Sequence, residues 1–279
     1  MESPNKKHRC SSLAAACPPL SPSCTHAPLK AWLASISKSR DQTELGLDRV
    51  QVRADPHGGM GLFAAQSLEP GAVVFTVPRA AVVSPHVVNA DSAVGLGGAL
   101  AALPYPFRAA LWLVRARRDP EHLFHPFVRT LPAAAPNAPW WSATSRSWLQ
   151  GSNLGFACDS ARNLLATQWA EASQAAGAGA KEVLTGVKLD DLEWGMGCYD
   201  SRRLPLRLSG VSQGKSSGDD SGAANGEGVL VPLLDFGNHH PDAEVCVYVI
   251  NCGEKLLHLL FVSLLFNKCR TFVNISYPR

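Results

Sequence analysis

No two of the eight cysteines stand as a C-x-x-C pair; they are scattered from Cys10 to Cys269. That spacing excludes the common zinc frameworks. Scattered thiols in a chain of 279 residues fit a reducing compartment. Charge is scarce as well. Charged residues make up 18% of the chain, below the roughly 25% of an average globular protein, and the net charge is only +3. With no basic stripe and no interleaved aromatics, nucleic acid is not the expected partner. Long apolar runs are missing too. "LLHLLFVSLLF", residues 256–266, is the longest, and it falls short of the about 20 residues that cross a bilayer. It reads as a buried strand or helix, and no membrane is expected as a partner. H-E-x-x-H does not occur, and G-x-S-x-G is spelled only within the Gly/Ser-rich stretch, at residues 210–214 and 214–218, so the chain shows no zincin helix and no nucleophile elbow on a strand-to-helix turn.

What is present is 46% hydrophobic residues, ample for one large domain with its own core. Residues 1–27 differ in kind. Lys6, Lys7 and Arg9 stand there against a single acid, Glu2, among many Ser, Pro and Ala. This is the composition of a disordered segment of the transit-peptide type. It fits an organelle address, a plastid among them, or a disordered tail of no address, with the cytoplasm as the default otherwise.

Short β units open the rest. "RVQVRAD" alternates Val50 and Val52 as a half-buried strand does. Two more strands are expected at Leu62–Ala65 and Ala72–Val77, joined by a turn at Pro70–Gly71. Before them, Leu29, Trp32, Leu33 and Ile36 share one helical face. The middle is helical. Phe107, Ala110, Leu111 and Val114 fall at helical spacing. A second helix is expected to start on Asp159 or Ser160 and to pack Leu164, Leu165 and Trp169 inward. A third carries Leu189, Leu192, Met196 and Tyr199, with acids at its start and Arg202 and Arg203 at its end. Residues 209–228 are dominated by Gly and Ser and read as a flexible loop. Strands return at Val229–Leu234 and at Val245, Val247 and Val249. The order β, α, β is that of an α+β protein.

Three clusters carry polar or glycine chemistry. "LLDFGNHHPDA" ends an apolar run in Asp235, Asn238, His239 and His240. His239, His240, Asp242 and Glu244 are competent metal ligands, but neighbouring histidines on an extended chain point to opposite sides. The pattern gives no reason to place a metal. Asp, Gly, Asn and Pro are also ordinary turn formers, and taken alone the cluster is best read as a polar turn. "GGMGLFA", 58–64, lacks the third glycine and the helix of a dinucleotide fingerprint; its glycines allow bare backbone to approach a ligand. "YDSRRL" sets Arg202 and Arg203 at a helix C-terminus, where cations are favoured anyway.

In this order and spacing the clusters resemble the SET-domain protein methyltransferases, in the branch typified by the Rubisco large-subunit methyltransferase. "GGMGLFAAQSLEPGAVVFTVPRAAVVS" is similar to the first β unit of that branch. "ALWLVRARRDPEHLFHPFVRTLP" resembles its helical insertion, "LDDLEWGMGCYDSRR" its tryptophan helix, and "LVPLLDFGNHHPDA" its Asp-x-x-Asn-His signature. The resemblance covers residues 28–245. It implies short β-sheets with knot-like threading, a helical insertion over about 90–200, and S-adenosylmethionine as cofactor. It also implies methyl transfer to a protein side chain, in the first place the lysine ε-amine, with histidine as the target in another branch. By resemblance, Asn238 and His239 contact the cofactor and Asp235 starts that wall. Gly59, Met60, Gly61, Leu62 and Phe63 line the other side through their backbone, and Arg202 takes the methionine carboxylate as a bidentate fork. The absence of a cysteine-rich flank favours a non-histone protein substrate, and we expect a monomer.

After Val245 the resemblance fades, and 246–279 is an atypical tail. Only "NISYPR" is similar to the family's tyrosine strand, with Pro278 in place of glycine. Tyr277 is the one candidate for the catalytic tyrosine that orients the amine. The expectation is a SET domain of residues 28–279 with an atypical or truncated C-terminal part, without the family's C-terminal substrate-recognition domain. The rival expectation is a SET-like binding module that has lost the tyrosine strand.

Overall fold

The computed structural model describes residues 26–38, 45–55, 59–69, 72–91, 98–175, 178–209, 226–237, 249–251 and 257–259. Helix α1 spans Ala27–Lys38 and buries Leu29, Trp32, Leu33 and Ile36, the face that the spacing predicts. Strands β1 (Val50–Ala54) and β2 (Met60–Ala64) then pair antiparallel, Val52 opposite Leu62. Gly59 enters β2 at φ 74°, a left-handed conformation that glycine adopts without a Cβ clash.

The expected strand at Ala72–Val77 does not form. Among the described residues its backbone is met instead by Arg49, whose guanidinium donates to the Val73 carbonyl at 2.8 Å, by a turn bond from Ala72 N–H to the Glu69 carbonyl at 3.0 Å, and by one bond to another segment, from Thr76 N–H to the Leu45 carbonyl at 2.8 Å. A side chain and a single bond thus replace a ladder. Val74, Phe75 and Val77 are buried all the same.

The helical middle begins with α2 (Pro85–Ala90), where Ser84 accepts from Val87 N–H and proline occupies the first turn. Helix α3 (Tyr105–Arg118) buries Phe107, Ala110, Leu111 and Val114 as expected. A short α4 (His125–Val128) and α5 (Ala143–Ser147) precede the long α6 (Asn153–Ala175). Helix α6 starts earlier than Asp159, because Ser152 Oγ accepts from Gly155 N–H at 3.0 Å and supplies the cap. That start sets which face is inward. Cys158, Leu165 and Ala172 are buried at seven-residue spacing, Trp169 is partly covered, and Leu164 is exposed. Helices α7 (Ala178–Leu184) and α8 (Leu189–Arg202) complete the set.

The main packing is α3 on α8. A Cβ on Gly195 would sit 2.5 Å from the Ala110 carbonyl oxygen, so glycine there is what lets the two backbones approach. Trp194 Nε1 donates to the Pro132 carbonyl at 2.8 Å while Arg117 lies over its ring at 4.2 Å. Trp112 Nε1 and His122 Nε2 both reach Asp91 Oδ2, at 2.7 and 2.9 Å.

Beyond α8, β3 (Leu204–Pro205) pairs antiparallel with β4 (Gly228–Val229), and β5 (Val249–Asn251) with β6 (Leu257–Leu259). Strand β6 lies within the apolar run at 256–266. The strand expected over Val229–Leu234 is shorter than that. Pairing ends at Leu230, bridged to Val83, although Val229, Leu230, Val231, Leu233 and Leu234 are all buried. Burial, not pairing, accounts for that apolar run. Short two-stranded sheets with a helical middle make an α+β architecture.

Among the described residues no helix is long and apolar enough to cross a membrane, and no three His, Cys, Asp or Glu side chains gather as a metal site.

Candidate functional site

The apolar run ends in a strained turn. Leu233 has φ 74° and ψ −39°, and it is the one non-glycine residue with positive φ among those described. A leucine held there stores strain of about 1–3 kcal/mol, and such residues gather at functional sites. The turn is fixed by bonds from Asp235 N–H to the Val231 carbonyl at 3.2 Å and from Phe236 N–H to the Leu233 carbonyl at 3.3 Å. It leads into the single 3-10 turn Leu234–Phe236, which packs against β2.

This geometry drives the Asp235 side chain inward, to 1% exposure. Among the described residues neither carboxylate oxygen has a hydrogen-bond partner. The backbone N–H groups of Leu233 and Asp235 lie close enough to favour the anion, but not at hydrogen-bonding geometry. Arg202 stands opposite, with Nε 3.6 Å from Oδ2. Burial pushes the Asp235 pKa up to about 7, against the opposing pull of Arg202. A buried carboxylate without hydrogen bonds is costly, and the ion pair only partly compensates it.

Helix α8 places Arg202 by its last turn. Arg202 Nη1 donates to Ser201 Oγ at 3.0 Å, and Ser201 in turn donates to the Gly197 carbonyl at 2.6 Å. The guanidinium is 20% exposed, half embedded and still within reach of a ligand. Arg203 differs: it pairs with Asp200 at 3.5 Å. Beneath Arg202, the buried Cys198 thiol is pushed up to about 12 by desolvation, so it is neither nucleophile nor metal ligand at neutral pH.

Strand β2 contributes mostly backbone. Leu62 and Met60 pack into the core, and Phe63 is covered by the Arg53 guanidinium at 4.0 Å. Among the described residues nothing lies within 4 Å of where a Cβ on Gly59 would stand. The structure thus brings Arg202, Asp235 and β2 together. Asn238, His239 and Tyr277, and the knot-like threading expected around them, fall outside the described residues. A depression of ≈ 670 Å³ between α5 and α6, lined by Arg146, Gln150, Phe156 and Asp159 among others, shares no residue with this cluster.

A solved structure of the SET domain of LSMT bound to lysine and AdoHcy superposes with a TM-score of 0.68 at 22% identity, over 91% of this chain and 54% of that one. The fold is that of a SET domain. Rubisco LSMT bound to AdoMet matches equally, with a TM-score of 0.68 and 22% identity over 93% of this chain and 53% of the other. In sequence, the [fructose-bisphosphate aldolase]-lysine N-methyltransferase, chloroplastic, of Arabidopsis thaliana is 25% identical over 203 residues, which is 72% of this chain and 38% of that protein. No family model matches the chain. The SET-domain chain spans about half the length of the solved relatives and 38% of the plant one. The resemblance to the Rubisco-methyltransferase branch read from the motifs is borne out in fold by the first pair and in sequence by the third.

Sequence reasoning found Arg202, Asp235 and the glycine strand through their motifs. It missed the Trp112–Asp91–His122 network, whose members lie 21 and 31 residues apart in no motif. The signal that could have found the strain at Leu233 is slight: an apolar run followed at once by Asp, with no turn residue between them.

Proposed function

We propose that this SET domain binds S-adenosylmethionine between the β2 backbone and the Arg202–Asp235 pair, and catalyses methyl transfer to the ε-amine of a lysine in a non-histone protein. The observation that carries the reading is the buried carboxylate of Asp235, without a hydrogen bond among the described residues, facing the mostly buried guanidinium of Arg202, 20% exposed, across a SET fold. The residues fit the cofactor's polar end. Arg202 has N–H groups that no described residue engages, and a planar fork suits a carboxylate. The glycine at 59 leaves room for a ligand against bare backbone.

When bound, the cofactor supplies a methyl group on a sulfonium centre, already activated for displacement. The chain's own share is placement and protonation. Arg202 fixes the amino-acid end, Asn238 and His239 hold the adenosine side, and Gly59 to Phe63 close the opposite wall. The target lysine must arrive neutral although its reference pKa is about 10.4, and an apolar channel lowers that value by disfavouring the ammonium form. Tyr277 orients the amine. The chloroplast location of the plant relative and the basic, acid-poor residues 1–27 together support a plastid location.

Calorimetric titration of S-adenosylmethionine into the full chain tests the reading. Saturable binding is expected, weakened about ten- to a hundredfold in Arg202→Ala, the loss of a charge-assisted pair. A folded wild-type chain that binds none overturns it. Where transfer to a protein substrate is measured, Tyr277→Phe is expected to lower the methylation rate and leave cofactor affinity unchanged. An unchanged rate would remove Tyr277 from the site.

A further inference from the structure

We infer that Asp235 is a positioning residue that trades a proton for the ligand: as an anion it holds Arg202 in the free chain, and it becomes protonated when a ligand carboxylate takes that guanidinium. The inference rests on the cofactor reading above and adds to it a proton uptake coupled to binding.

The argument is one of charge count. A single guanidinium faces Asp235 through Nε at 3.6 Å, too long for a charge-assisted hydrogen bond. Among the described residues both carboxylate oxygens are unbonded, so this attraction, with a smaller share from the nearby N–H groups of Asp235 and Leu233, is what opposes the cost of burying the anion. A second carboxylate on the same guanidinium divides that attraction and adds repulsion between like charges at close range, the condition under which one of two carboxylates takes up a proton. The buried carboxyl is the one that gains most by neutralisation.

Among the described residues no other group around it takes over that role. Residues 60–64 of β2 contain no ionisable side chain. From α8, Cys198 is held neutral by burial, and Asp200 and Arg203 are paired with each other. Arg117 of α3 acts on Cys198 and Arg202 is the cation already counted. At the start of α1, His26 stands edge-on to Phe236, ring centroids 4.7 Å apart, and burial together with Lys30 lowers its pKa. Asp235, pushed up to about 7 in the free chain, has its titration within reach of neutral pH. The exchange balances at the guanidinium: one proton from solvent joins an Asp235 oxygen as one carboxylate arrives, while the ligand's ammonium and sulfonium charges arrive with it in wild type and variant alike.

The test is calorimetric titration of S-adenosylmethionine into the full chain at about pH 8, in buffers of differing ionisation enthalpy, for wild type and Asp235→Asn. The ligand's own amine titrates in this range and contributes alike to both proteins, so the difference isolates Asp235. Wild type is expected to take up more protons, approaching about one per ligand bound, with the difference vanishing near about pH 5. Should the Asn variant not fold, the infrared difference spectrum of wild type carries the same information: a protonated-carboxyl carbonyl band is expected to appear on binding. Saturable binding with equal uptake in both proteins, or with no such band, overturns the inference and leaves the cofactor reading intact. A folded wild type that does not bind overturns both.

Discussion

Burial holds the Asp235 pKa in the folded chain well above the ordinary carboxylate value, against the opposing pull of Arg202. The sign of the consequence is fixed by linkage. Between the unfolded pKa near 3.8 and the folded value of about 7, the native state holds more protons than the unfolded one, so this group's contribution to stability falls as pH rises. The full penalty is present above the folded pKa. Asp235→Asn, isosteric and always neutral, is expected to raise the unfolding midpoint of the ligand-free chain at about pH 8 and to match wild type near about pH 5. Denaturant titrations at the two pH values check it, and an equal gap at both would mean that Asp235 is ionised at neither or at both. The Asp91 network behaves differently. His122 Nδ1 accepts from Phe124 N–H at 3.1 Å, which leaves Nε2 as the donor to Asp91. Both side chains are satisfied, so the pair reads as a strut between α2, α3 and the following turn. Nothing in the spelling of residues 91, 112 and 122 reveals this, since the three meet only through the path of the chain.

Elements were legible where a single face had to be buried. Helices α1, α3 and α8 follow their apolar spacing closely, because helix and core impose the same period. Helix α6 was misplaced by half a dozen residues because Asp159 and Ser160 are also good caps. The cap in use, Ser152, follows a glycine at φ 78°, which turns the chain into the helix earlier. Short strands were less legible. At 72–77 an apolar, β-branched stretch is buried without pairing, and β propensity reflects fit to a half-buried surface more than a commitment to a ladder. The α3–α8 contact is where an element-scale test has most force. Gly195→Ala would set a methyl group 2.5 Å from a carbonyl oxygen that belongs to backbone, and helices cannot part locally without repacking. The expected loss is about 1–3 kcal/mol by chemical denaturation, even though alanine is the better helix former. A stabilised variant would mean that the two helices have room to separate.

At the scale of the whole molecule, the candidate site is assembled from segments spread over about 175 residues of sequence: β2, the end of α8 and the turn after β4. The motifs were readable one by one, and their meeting was implied by resemblance, not by any local rule. Asn238, His239 and Tyr277 lie outside the described residues, so that part of the site rests on the motif alone. The outer face of the helical middle is unlike the core. Trp148 is 88% and Phe156 78% exposed. Scattered exposed apolar groups contribute little to folding. Trp148→Ser is accordingly expected to leave the unfolding free energy within about 0.5 kcal/mol of wild type. A larger loss would mean that the indole is covered in solution.

The Tyr199 hydroxyl donates to the Gly226 carbonyl at 3.1 Å, and the neighbouring strand pair joins Leu204 to Val229. The two ends of a long connection are therefore clamped together beside Arg202, whatever its length. Doubling such a connection costs only about 0.6 kcal/mol in closure entropy, and the clamp prevents that cost from shifting the arginine. A fluorescent reporter or an affinity tag could be spliced between those ends with the binding geometry left as it is, giving the protein a built-in port for labelling.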